Sequence, residues 1–205
     1  YVYNQLNFPM IIKSLITLFF LINMISCNNT QNKTTSESQN LSFNIDYNLL
    51  QPTPLKNDQG FSIYVPIGWS EIDSTNMNQL KKAIESMENI IQLELIGAYQ
   101  SKDLATCVVS KLVSKEVNFN YIPGNYIDLL KTQFVTENIN TADIVINNLD
   151  VRQFIITNDT HITFKLFISG NNNHQVDYII PIGIYAKELG KIESSIGTIT
   201  NKGEK

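Results

Sequence analysis

Few side chains in this sequence could do chemistry. The 205 residues include two cysteines, Cys27 and Cys107, two histidines, His161 and His174, and one arginine, Arg152. A reactive thiol needs a cation or base beside it to form the thiolate. Cys107 instead stands in the apolar run from Leu104 to Val113, where a cysteine serves as an inert core residue. His161 and His174 flank turns at opposite ends of one hairpin strand, too far apart to share a metal, and both read as solvated. Two cysteines cannot build a four-sulfur zinc site, so neither a metal nor a cofactor is expected. Arg152 could fork a carboxylate on a partner or make a surface salt bridge. Tyr121, Tyr126, Tyr178 and Tyr185 could rim a binding groove, since tyrosine joins apolar area to a polar tip, or simply cover sheet edges. Trp69 reads as a core plug behind the first strand.

Composition removes whole classes of function. Nineteen acidic residues outweigh fifteen basic ones, giving a net charge of −4. A nucleic-acid surface needs clustered cations to displace counterions, so nucleic acid is excluded as a partner. A hydrophobic content of 43% is ample for a packed core. No phosphate-binding glycine loop, nucleophile elbow, zinc-binding His-Glu-x-x-His or calcium loop is present.

Cys27 is the exception to this chemical poverty. It ends a stretch that starts at Met10, with Lys13 as the positive region, Leu15 to Ile25 as the apolar region and Ser26 as the small residue before a cleavage point. The apolar run is well short of the ~20 residues a bilayer core requires. This is the pattern of a secretory signal peptide, with residues 1–9 lying upstream of the expected start at Met10. Met24-Ile25-Ser26-Cys27 resembles the lipobox of bacterial lipoproteins, with Met24 in the place usually held by leucine. The resemblance implies that Cys27 becomes the first mature residue and carries the acyl chains. From Asn28 to Asn40 the chain has no apolar residue, and residues 28–57 are expected to form a disordered tether.

The elements that must position everything else begin near Gly60. Phe61, Ile63 and Val65 alternate as a strand that Pro66 and Gly68 end. Met77, Leu80, Ile84, Met87, Ile91 and Leu95 follow at helical spacing, with Lys81, Lys82, Glu85 and Glu88 on the wet side. Leu104 to Val113 reads as a buried strand. A second helix is expected after Pro123-Gly124, capped by Asn125 and lined by Ile127, Leu130 and Phe134. Strands are expected over 143–147, 150–157, 161–168 and 175–182, punctuated by asparagine and glycine turns. In the third of these, Ile162, Phe164, Leu166 and Ile168 face the core, while His161, Thr163 and Lys165 face a wet or lightly covered side. Leu189, Ile192 and Ile196 mark a closing helix. The predicted class is α+β, an antiparallel sheet flanked by helices.

The opening Gly60-Phe61-Ser62-Ile63-Tyr64-Val65-Pro66-Ile67-Gly68-Trp69, the helix and strand meander after it, and the closing Lys191-Ile192-Glu193-Ser194-Ser195-Ile196 resemble the PsbP-like group. That group includes photosystem II extrinsic subunits, nuclear Ran-binding relatives and many bacterial lipoproteins. The resemblance covers most of residues 58–200 and implies a sheet sandwiched between helices, serving docking or assembly without catalysis. The resulting expectation is a non-enzymatic envelope lipoprotein, held to a membrane by its lipid, facing the periplasm and bound to another envelope protein. The competing expectation is a small-ligand carrier or weak hydrolase with a pocket between sheet and helix.

Overall fold

The computed structural model describes residues 39–57, 60–85, 92–113, 138–170 and 172–201, all within one compact unit, Ser36–Lys205. The elements in chain order are β1 (Gln39–Asn40), a 3-10 turn at Tyr47–Leu49, β2 (Leu55–Lys56), β3 (Phe61–Ile63), β4 (Ser70–Glu71) and α1 (Ser74–Glu85). They continue with β5 (Leu93–Gln100), β6 (Thr106–Leu112), β7 (Asn138–Ile146), β8 (Leu149–Thr157), β9 (His161–Ile168) and β10 (His174–Pro181). A 3-10 turn, Ile182–Ile184, leads into α2 (Tyr185–Gly197), and β11 (Thr200–Asn201) closes the described chain. Among the described residues, one sheet runs β1-β7-β8-β9-β10-β6-β5-β4 and a smaller one runs β11-β3-β2. Every neighbouring pair is antiparallel except β1 with β7. The expected α+β class is observed.

Local chemistry explains these elements. Asn147 and Asn148 take φ values of 50° and 63°, the paired left-handed conformation a two-residue hairpin turn requires, and this pins Ile146 opposite Leu149. Asp73 starts α1: its Oδ1 accepts the N–H groups of Thr75 and Asn76 at 2.9 and 3.0 Å, which lowers its own pKa. Ile84 is buried on α1 while Lys81 and Lys82 are exposed, as their spacing predicts.

The principal core lies between one face of the large sheet, α2 and the β3 segment. Phe61, Ile63, Val65 and Trp69 meet Cys107, Val109, Leu166, Ile168, Val176, Tyr178 and Ile180, with Ile192 and Ile196 of α2 closing the layer. Three small polar residues of α2 and its C-cap hold the N-terminal segments down. Ser194 Oγ accepts the Asp46 N–H at 3.2 Å, Ser195 Oγ donates to the Tyr64 carbonyl, and Thr198 Oγ1 accepts the Tyr64 N–H at 3.0 Å. At Gly197 a Cβ would lie 2.6 Å from Phe43 Cβ, so the absent side chain is what lets the 43–45 segment cross the helix.

Four expectations are corrected. Leu95 lies on β5, not on a helix, because Leu93 and Leu95 alternate and pair with Leu112 and Ser110 of β6. Folded structure begins before residue 58: Leu50 is 3% exposed, and Phe43 and Leu55 pack on the core. The second face of β9 is half-buried at His161 and Thr163, as a lightly covered face would be, but Lys165 and Phe167 are buried with Phe154, Ile156 and Val108. Leu104 is not a strand residue but an exposed turn residue at φ 69°. The helix expected after Pro123-Gly124 lies outside the described residues, as do Met87 and Ile91.

Candidate functional site

The chemistry-bearing side chains fall into three interior polar clusters. The first joins β6, β10 and α2. Cys107 and Tyr178 are directly opposite each other on β6 and β10, both fully buried. Tyr178 Oη lies 2.6 Å from Ser195 Oγ, and the Ser195 hydroxyl already donates to the Tyr64 carbonyl. The phenol is therefore the donor to Ser195, with the Cys107 thiol beside it on the neighbouring strand. Burial pushes the Cys107 thiol up to about 12 and the Tyr178 phenol well above its ordinary value. Neither ionises near neutral pH, so this chain of hydroxyls is a structural tie. Tyr178 does not rim a groove, which corrects the sequence expectation.

The second cluster surrounds His174. Phe61 stacks on its ring with centroids 4.3 Å apart, and the residue has no exposed surface, which corrects the expectation of a solvated histidine. Asn57 Oδ1 accepts the Phe61 N–H at 2.9 Å, so Asn57 Nδ2 is the atom turned toward His174, 2.9 Å from Nε2. Nε2 is then an acceptor and the ring proton resides on Nδ1. Nδ1 faces the Asn172 backbone without completing a hydrogen bond. Desolvation, with Lys111 opposite on β6 adding to it, lowers the His174 pKa to about 4. Asn201 Nδ2 donates to the Asn172 carbonyl at 2.8 Å, filling the space over Gly170, where a Cβ would sit 2.0 Å from that nitrogen.

The third cluster occupies the opposite sheet face. Lys165 Nζ and Gln175 Nε2 each donate to Asp177 Oδ2 at 2.7 Å. Asp177 Oδ1 and Gln175 Oε1 are buried without a hydrogen-bond partner. Lys165 and Asp177 are cross-strand neighbours, which places their charges together in a mostly apolar layer.

Two further polar contacts close the molecule. Trp69 Nε1 donates to Glu188 Oε2 at 3.0 Å, and Lys191 Nζ donates to both Glu188 oxygens at 3.0 Å. Trp69 is thus a core plug with its one donor satisfied, as expected. Arg152 forks Asp143 across β7 and β8, with Nε–Oδ1 at 2.7 Å and Nη2–Oδ2 at 3.0 Å. That pairing commits the guanidinium inside this chain, the second of the two uses the sequence allowed. Tyr185 stacks on Phe164, and His161 Nδ1 lies 2.8 Å from Thr160 Oγ1 in the β8–β9 turn. Cys27, Tyr121 and Tyr126 lie outside the described residues.

Ser195, Glu188, Asn57 and the Lys165–Asp177 pair were not singled out as functional candidates from the sequence. Only the last left a trace, a lysine flanked by Phe164 and Leu166 and an aspartate flanked by Val176 and Tyr178. Among the described residues no three His, Cys, Asp or Glu side chains converge as metal ligands, and no helix is long and apolar enough to cross a membrane. No protein-family model matches the chain, and no curated protein matches it.

Proposed function

We propose that this chain is a lipid-anchored envelope protein, facing the periplasm, whose α+β domain is a sandwich of the PsbP-like type and binds another envelope protein without catalysing a reaction. The observation that carries this reading is Cys27, directly after Met24-Ile25-Ser26 and directly before a polar stretch. With Cys27 as the first mature residue, Lys13 is lost and the net charge becomes −5, so no net basic excess assists membrane binding and the acyl chains supply the anchor. Tethering then confines the domain to a thin layer above the bilayer and raises its effective concentration toward other envelope proteins.

The interior supports the non-enzymatic half. The thiol, two of the hydroxyls and the His174 imidazole that could have served as nucleophile or base are dry; Tyr178 and Ser195 are tied to each other and to the Tyr64 backbone, and His174 to the Asn57 side chain. The test is affinity capture of the tagged, lipidated protein from gently solubilised native membranes, with Cys27→Ala as control. A near-stoichiometric envelope protein, lost in the control, is expected. Capture of no protein from either sample, together with turnover of a small substrate by the purified chain, would overturn the reading.

A further inference from the structure

Several loops meet at one end of the large sheet. β5 ends and β6 begins there, joined by the turn 101–105, and β10 ends there at Pro181. The 66–69 loop enters β4 at the same end, because Ser70 pairs with Gln100. These loops are fastened to one another through the first turn of α2: Lys187 pairs with Asp103, and Glu188 accepts from Trp69. Each loop presents an apolar side chain to solvent: Ile67 at 47% exposure, Leu104 at 64% and Ile182 at 42%. Leu104 also sits at φ 69°, where asparagine or glycine is the ordinary choice. Neither burial nor backbone preference accounts for leucine at that position. Lys102 is exposed on the 101–105 turn, and Lys187 on the first turn of α2.

We propose that this end of the sheet rests on a lipid bilayer, with Ile67, Leu104 and Ile182 dipping into the interface and Lys102 at headgroup level. The inference rests on the anchoring reading above. The occupant is the bilayer that holds the lipid on Cys27, which this end can reach. β1 runs parallel to β7, which starts at the loop-bearing end, and Gln39 lies opposite Ile144, six residues along β7 from that start. Twelve residues link Cys27 to Gln39, a reach of about 40 Å when extended. Six residues of strand separate Gln39 from the loop-bearing end, about 20 Å, so the tether is long enough for this end to touch the membrane that holds the lipid.

The test places an environment-sensitive nitrobenzoxadiazole dye on Ile67→Cys, Leu104→Cys or Ile182→Cys, and on Asn148→Cys at the opposite end of the sheet. Each full-length protein is purified from membranes of a lipoprotein-processing bacterium. It is then reconstituted into phosphatidylethanolamine–phosphatidylglycerol vesicles with and without doxyl-labelled lipid. The expected result is flotation of every variant, with doxyl quenching several-fold greater at positions 67, 104 and 182 than at 148. Flotation with equal quenching at both ends, or with none at 104, overturns the inference while leaving the anchor intact; the second pattern is what a protein partner at this end would give. Failure to float overturns the anchoring reading, and the inference with it.

Discussion

Tyr178 donates its phenolic proton to Ser195 Oγ across 2.6 Å, joining the middle of the large sheet to the helix that covers it. Ser195 passes the bond on to the Tyr64 carbonyl, so one hydroxyl links α2, β10 and the segment after β3. All three groups lose water on folding, and the bonds among them replace that hydration.

Ser195→Ala should therefore cost more than the loss of one oxygen suggests. It strands the Tyr178 phenol, which is fully buried, and frees the Tyr64 carbonyl of its side-chain donor. We expect a loss of about 1–3 kcal/mol in urea unfolding at neutral pH. Tyr178→Phe removes the donor without stranding it and should cost less than Ser195→Ala. The reverse order would contradict the assigned donor direction.

Stability should fall on mild acidification because of His174. Its folded pKa lies at about 4, below the ordinary 6.5, so between those values the unfolded chain binds a proton that the folded chain does not. The stabilisation is complete above about pH 6.5 and is lost as pH falls toward 4, amounting in full to something on the order of 3 kcal/mol. Urea midpoints measured from neutral pH down to the carboxylate range should decline in the wild type and stay flatter in His174→Gln. Parallel curves for the two proteins would contradict the neutral, buried imidazole.

The reach of sequence reasoning differed between neighbouring residues for physical reasons. The β7–β8 turn at Asn147–Asn148 and the core face of β9 were legible because turn chemistry and period-2 alternation are local. Leu95 was not: the spacing Ile84, Met87, Ile91, Leu95 fits a helix, and only pairing with β6 makes Leu93 and Leu95 a strand. His174 looked solvated beside an asparagine-rich turn, yet Phe61 and Asn57, more than a hundred residues earlier, bury it. Tyr178 could have been read as buried from the alternation of Val176, Tyr178 and Ile180; its polar tip drew the reading toward a groove.

The Lys165–Asp177 pair yields a prediction about charge. Side-chain exposures of 11% and 14% mean that removing one partner leaves the other poorly hydrated. Lys165→Met should destabilise by about 3–5 kcal/mol, and Lys165→Met with Asp177→Leu should recover most of that loss. A double variant no more stable than the single one in thermal unfolding would show that the pair is held for its geometry with Gln175 and not as compensation of charge.

The central claim is the lipid on Cys27, and metabolic labelling with radioactive palmitate tests it most directly. Cells expressing the full chain should yield a labelled band in the membrane fraction. Cys27→Ala should lose the label and leave the membrane, whereas Cys107→Ala should keep both. Absence of label from the wild-type chain, or its persistence in Cys27→Ala, would contradict the account.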